Sequence, residues 1–180
     1  MHVFFDFITH FGGAQRSTTL LCRHLQRELP LTVLDPYGVC QPYHAALREF
    51  GIPHRVLLPE ARQVVIGHEG RPLRRAVSLL RQVPDLLRLR ARAAAALREL
   101  DPELIWTNSG KSLVFLASIP ALRRYPLALF ARGWFRRHQV APLSRWVIRR
   151  RVAGVLAVSS ATGQALASWG VDPARVHVVY

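Results

Sequence analysis

The chain has 180 residues, half of them hydrophobic and a fifth charged, with a formal net charge of +14 and a pI near 11.5. That length supports one sizeable domain or at most two small ones, and that balance excludes an intrinsically disordered chain. Two cysteines, Cys22 and Cys40, are too few for a disulfide framework, no histidines stand at metal-ligand spacing, and no apolar run nears the roughly 18 residues that span a bilayer.

The first segment, His2 to Ile8, is an apolar run rich in aromatic and β-branched residues, and it reads as a strand. No basic segment precedes it and no small-residue cleavage site follows, so it does not read as a signal peptide. Gly12-Gly13-Ala14-Gln15-Arg16 makes a turn into a helix whose expected apolar side carries Leu20, Leu21 and Leu25, with Cys22 as a small core residue. Strand, glycine turn and helix together bring unpaired N–H groups and a positive helix end to the lip of a sheet, where anions bind. The turn lacks the third glycine of GxGxxG and the Lys-Ser/Thr of a P-loop, so alone it fits plain structural punctuation as well as a phosphate seat.

Leu31 to Asp35 reads as the second strand, ended by the turn Pro36-Tyr37-Gly38. A short helix follows over Gln41 to Phe50, closed by Gly51, and then a third strand opening at Ile52 and running to Leu58. Pro59 to Arg71 has no clean period and reads as a loop. The longest helical pattern runs from Leu73 to Leu100, with Pro84 expected to kink or restart it. Its apolar face is read as Ala76, Leu80, Val83, Leu87 and Ala94, beside an arginine stripe of Arg74, Arg81, Arg88 and Arg92.

Leu104 to Thr107 is a buried-type strand leading to the polar turn Asn108-Ser109-Gly110-Lys111, and Leu113 to Arg124 is read as its helix. Leu127 to Ala131 is a strand that runs into the basic-aromatic loop Arg132 to His138. A basic helix over Leu143 to Val152, a strand over Gly154 to Val158, and a helix over Ala161 to Trp169 come next. Ser159-Ser160 caps that last helix, Gly170 stops it, and Arg175 to Tyr180 is a final strand.

Alternating strands and helices imply an α/β, Rossmann-like three-layer domain, with a mostly parallel sheet and helices on both faces. The polar turns at Gly12-Gly13, Asn108-Ser109, Arg132-Gly133 and Ser159-Ser160 would then share the carboxyl edge, where such sheets bind ligands. His10, just before the glycine turn, would line the same edge. Asp6 and Asp35, near strand ends, are candidates to orient a ligand. The segment Trp134 to Arg151 mixes aromatics with Arg136, Arg137, Arg145, Arg149 and Arg150. Such a mix suits docking on anionic headgroups, and equally a helix that packs its Trp146, Val147 and Ile148 on the sheet.

The order of these motifs resembles the N-terminal domain of GT-B glycosyltransferases of the family 4 type. The resemblance rests on Gly-Gly-Ala-Gln-Arg after the first strand, LIWTNS, LALFARG, VLAVSSATGQAL and WGVDPARVHVVY, and it covers essentially all 180 residues. It implies the acceptor-binding half of a retaining enzyme that moves sugar from a nucleotide-sugar donor to an acceptor, possible acceptors being a lipid or a cell-envelope glycan. Carried over, Gly12 and Gly13 would face the donor diphosphate, and Arg132 would sit in the cleft beside the reacting sugar. His10, Asn108, Ser109 and Ser159 would be further cleft contacts.

Two positions depart from the family's pattern: Gln15 replaces the usual Glu, and Arg132 stands where a His is common. The family's second Rossmann domain, with the nucleotide pocket, has no counterpart in these 180 residues. The expectation is therefore a half-enzyme, inactive alone, whose second Rossmann domain could be a separate chain. No cofactor or metal is expected, and the setting is a reducing cytoplasm, with the inner membrane face as a possible peripheral site. A non-catalytic basic domain binding a membrane or nucleic acid is the alternative, though the sequence carries no recognised nucleic-acid motif.

Overall fold

The structure is a computed structural model describing residues 1–61, 72–132 and 140–179, with only the helical backbone of residues 72–81. Among the described residues seven strands alternate with six α-helices. In chain order they are β1 (His2–Phe5), α1 (Gly13–Leu25), β2 (Leu31–Asp35), α2 (Gln41–Glu49), β3 (His54–Val56), α3 (Pro72–Leu100) and β4 (Leu104–Thr107). There follow α4 (Gly110–Ala117), β5 (Leu127–Ala131), α5 (Pro142–Arg151), β6 (Val152–Ala157), α6 (Ser160–Ser168) and β7 (Val176–Val178).

The strands form one sheet in the order β3-β2-β1-β4-β5-β6-β7, and all six pairings are parallel. The expected Rossmann-like sheet is thus parallel throughout. Its strand order reverses between β1 and β4, where the long α3 crosses over. Successive side chains of a strand point to opposite faces, and both faces here are covered. Val3, Phe5 and Leu34 join residues of α3 to α6 in one core, while Phe4, Leu31 and Val33 join Cys22, Tyr43 and Leu47 from α1 and α2 in the other.

Several elements depart from the sequence reading for identifiable reasons. Helix α1 packs through Thr18, Thr19 and Cys22 with the expected Leu21 and Leu25 partly buried against the same core, while Leu20 is 47% exposed. Each threonine hydroxyl donates to the carbonyl four residues back, Thr18 to Ala14 at 2.9 Å and Thr19 to Gln15 at 2.8 Å, so both can be buried without an unmet donor. Helix α3 continues through Pro84, and its packed face in the described half is Leu89, Ala93, Ala96 and Leu97 with Ala94, not Val83 and Leu87, which are exposed. Arg88 and Arg92 are exposed, as a solvated stripe requires, and Arg92 pairs with Glu60 at 2.6 Å. The side chains of Arg74, Ala76, Leu80 and Arg81 lie outside the described residues.

Helix α4 stops at Ala117. Ser118 caps it, and Pro120 starts a separate 3-10 turn through Leu122, since a proline cannot donate to the helix ladder. Strand β3 is shorter than expected, three residues at the sheet margin. Strand β6 begins two residues early at Val152, directly on the end of α5. Arg136 and Arg137, with most of the loop expected between Pro59 and Arg71, lie outside the described residues.

Candidate functional site

At the point where strand order reverses, the chain leaves β1 and β4 in opposite directions and opens a crevice beyond their carboxyl ends. Asp6 stands at the floor of this crevice, only 8% exposed. Its Oδ1 accepts from the Ser109 hydroxyl at 2.8 Å and the Phe7 N–H at 3.0 Å, and also from the Ser112 hydroxyl. Burial pushes the Asp6 carboxyl above the ordinary carboxylate range, and these hydrogen bonds with one from Asn108 oppose the shift.

The hydroxyl of Ser109 also caps α4, accepting from the Ser112 N–H at 3.2 Å. Asn108 accepts from Thr18 on α1 at 3.3 Å. These contacts clamp the ends of β1 and β4 and the start of α1 together. Asp6 therefore orients the chain around the crevice.

The glycine turn enters α1 with Gly12 as N-cap. Its N–H donates to Gln15 Oε1 at 3.2 Å, the backward half of a capping box. Glutamine accepts there as a glutamate would, so the departure at position 15 preserves the turn. It also means that the Gly12 N–H is already engaged. A Cβ placed on Gly12 would meet the His10 ring at 3.3 Å, whereas one placed on Gly13 would meet nothing within 4 Å. The open approach to the helix end is thus over Gly13. His10 is exposed beside the turn, with Nδ1 3.0 Å from the Thr9 hydroxyl.

Arg132 follows β5, one strand beyond β4, and its Nη1 donates to the carbonyl of Ala14 in the first turn of α1. The guanidinium lies over the Phe130 ring at 3.7 Å. Its Nε and Nη2 are buried with no partner among the described residues. Burial pulls its pKa down to about 10, with Cys22, Asp6 and Tyr43 opposing, so the group stays cationic at neutral pH. Lys111, the second residue of α4, places Nζ 4.8 Å from the Phe7 ring centre. Partial desolvation lowers its pKa, and Asp6 raises it.

Gly12, Gly13, His10, Asn108, Ser109 and Arg132 therefore gather at one edge over β1, β4 and β5. Ser159 shares the edge but caps α6 at the end of β6, accepting from the Thr162 N–H at 3.2 Å. Three strand spacings separate it from β1, or ~14 Å. Sequence reasoning missed Ser112 and Thr18, whose partners are 106 and 90 residues away in the chain. It also assigned Asp35 to ligand orientation. In the fold Asp35 is buried and pairs with His44 at 2.9 Å while accepting from the Tyr37 N–H at 3.1 Å. No group of three or more metal-ligating side chains occurs among the described residues, nor does a helix long and apolar enough to cross a membrane.

The family model described as Glycosyltransferase Family 4 matches residues 11–180. The chain belongs to Glycosyltransferase Family 4. Among solved structures, this family 4 chain is similar to HepE of Anabaena in complex with UDP-glucose, with a TM-score of 0.70 at 18% identity, over 99% of this chain and 43% of that one. It is also similar to the lipopolysaccharide outer core galactosyltransferase WaaB in its apo form, with a TM-score of 0.66 at 13% identity, over 100% of this chain and 45% of that one. A UDP-GlcNAc 2-epimerase of Methanocaldococcus jannaschii shares the fold at a TM-score of 0.56 and 10% identity, over 99% of this chain and 45% of that one. No curated protein matches the chain. The family 4 chain thus has a GT-B, Rossmann-like fold and spans less than half the length of these structural relatives.

Proposed function

We propose that the chain is the acceptor-side half of a retaining glycosyltransferase, moving a sugar from a nucleotide-sugar donor to an acceptor and inactive without a second Rossmann domain. The observation that carries this reading is the family match over residues 11–180, on a chain that spans 43% of the structural relative crystallised with UDP-glucose. The crevice supports it chemically. Transfer breaks the bond between the sugar's anomeric carbon and the leaving phosphate oxygen, and negative charge builds on the diphosphate as it departs. Donors already aimed at that charge stabilise the transition state without reorganising.

In this reading the open N-terminus of α1 at Gly13 meets the diphosphate, with Gly12 shaping the turn, and the two unpartnered nitrogens of Arg132 face the leaving group. His10 and Asn108 line the acceptor side, Ser109 holds the α4 end in place, and Ser159 lies at the far margin of the cleft. The acceptor is a lipid or cell-envelope glycan, reached from the cytoplasmic side by peripheral association with an anionic membrane.

The test compares this chain with a product in which it is joined to, or paired with, a second Rossmann domain, on a panel of nucleotide sugars. Release of nucleoside diphosphate and the anomeric configuration of the product are measured. The expected result is turnover only by the combined protein, with configuration retained. Turnover by the 180-residue chain alone at an ordinary rate of ~1 s⁻¹ or more would sink the half-enzyme reading. Absence of transfer from every donor by the combined protein would sink glycosyl transfer itself.

A further inference from the structure

Outside the crevice, α5 presents an unusual outer face. Val147 and Ile148 are buried against the sheet, so the helix already has its inward contacts. Leu143 and Trp146 are nevertheless each 57% exposed and stand one turn apart. Arg145, Arg149 and Arg150 flank them, and Arg149 and Arg150 are exposed. A soluble helix normally puts polar groups on such a face, whereas apolar and cationic residues together mark a helix lying in a membrane interface.

Beside this face is a cavity of about 220 Å³ lined by Pro142, Arg145, Trp146, Arg149 and Trp169. Trp169, at the end of α6, is 7% exposed and forms part of its wall. The Arg149 guanidinium lies so close to Gly170 that a Cβ there would meet it at 3.3 Å. Arg145 Nε is buried with no partner among the described residues. No carboxylate lines the cavity, and the nearby Asp172 is paired with Arg175 at 3.7 Å. Two arginines against tryptophan walls provide donors for a phosphate and apolar surface for what is attached to it.

We propose that this cavity seats the phosphate of an anionic phospholipid, so that α5 docks on an acidic bilayer with Leu143 and Trp146 in the interfacial layer. The inference deepens the peripheral-membrane part of the reading above by giving it a site. Nucleic acid would engage the same charges but gives no reason for an exposed leucine beside the tryptophan.

The test is co-sedimentation of the chain with vesicles of phosphatidylglycerol and phosphatidylcholine, and of phosphatidylcholine alone, at physiological salt. The variants are Arg145→Gln with Arg149→Gln, Trp146→Ala, and Leu143→Ser, with Arg27→Gln plus Arg48→Gln as a charge-matched control elsewhere. The altered apolar positions are exposed, and circular dichroism verifies that each variant is folded. Binding is expected to the acidic vesicles only, weakened about fivefold for each α5 arginine removed and roughly tenfold by Trp146→Ala, with the control near wild type. Trp146→Phe should restore most of the affinity.

Equal binding to phosphatidylcholine, an equal loss in the control pair, or no loss in the α5 variants would each overturn the proposal. So would an oligonucleotide that displaces the vesicles and depends on the same residues. None of these readouts involves a sugar nucleotide, so the docking site and the glycosyl-transfer reading stand or fall separately.

Discussion

Arg132 at the end of β5 donates from Nη1 to the carbonyl of Ala14 in the first turn of α1, joining two of the loops that border the crevice. The bond spends one corner of the guanidinium and leaves Nε and Nη2 buried without a partner among the described residues. Removing the group has two opposed effects on stability: a charge-assisted hydrogen bond is lost, and an incompletely satisfied buried cation is relieved. Arg132→Gln should therefore change the urea unfolding free energy by no more than about 1 kcal/mol. In the combined enzyme it should lower kcat/KM by roughly 10²- to 10³-fold, the loss typical of a donor aimed at developing charge. An activity loss that merely tracks the folded fraction would make Arg132 a structural tie.

The glycine turn yields a cleaner separation of fold from function. A Cβ at Gly13 meets nothing within 4 Å, and Gly13 is the first residue of α1. Gly13→Ala should leave stability unchanged or raise it by about 0.4–1 kcal/mol, because alanine restricts the unfolded chain. If a diphosphate approaches there, the added methyl should raise the KM for the nucleotide sugar about tenfold, which corresponds to ~1.4 kcal/mol. Steady-state kinetics on the combined enzyme make the comparison. An unchanged KM would remove Gly13 from the donor-facing surface.

What could be read from the sequence follows where the physics is local. Leu31–Asp35, Leu104–Thr107 and Leu127–Ala131 are short apolar runs between breakers, and each forms its strand with the expected bounds. The polar turns after β1, β4, β5 and β6 fall at one edge because parallel strands all point the same way. On α1 Leu21, Leu25 and Cys22 pack as expected, but Thr18 and Thr19 escape a hydropathy pattern because they hide their hydroxyls in backbone bonds. On α3 Ala93 and Ala96 are packed beside Leu89 and Leu97 while Leu87 is 58% exposed, so the helix turns inward a different face from the one its apolar spacing suggested. The clamp of Asp6 with Ser109 and Ser112 depends on residues more than a hundred positions apart meeting at the crossover, and no spacing rule reports that.

The Asp35–His44 pair tests the second core. Both side chains are almost fully buried, at 1% and 5% exposure, and the contact is 2.9 Å. His44→Ala leaves a buried carboxylate with the Tyr37 N–H as its remaining described hydrogen-bond partner. Leaving the buried Asp35 carboxyl without this hydrogen bond should cost about 1–3 kcal/mol. Urea denaturation at neutral pH should show a drop in midpoint with little change in slope. A loss under about 1 kcal/mol would mean that water reaches Asp35 in the variant and replaces the imidazole.

Asp6 makes the sharpest claim about pH. Its carboxyl titrates above the unfolded value of 3.8 because burial penalises the charged form more than its hydrogen bonds favour it. The folded state consequently holds the Asp6 proton more tightly than the unfolded chain does. Below 3.8 both states are protonated and Asp6 imposes no penalty. As pH rises from 3.8 through the raised folded value the penalty develops, and above it the penalty is complete. Asp6→Asn keeps an oxygen to accept from Ser109, Ser112 and Phe7 but cannot ionise, so relative to wild type it should be more stabilising at pH 7 than at pH 4. Asp6→Ala removes the acceptor as well and leaves buried donors unmet, a cost of about 1–3 kcal/mol. Urea unfolding of the three proteins at both pH values checks the pair of expectations. If the Asn variant differs from wild type by the same amount at pH 4 and pH 7, the Asp6 charge is not what burial opposes, and the crevice floor is better solvated than its 8% exposure implies.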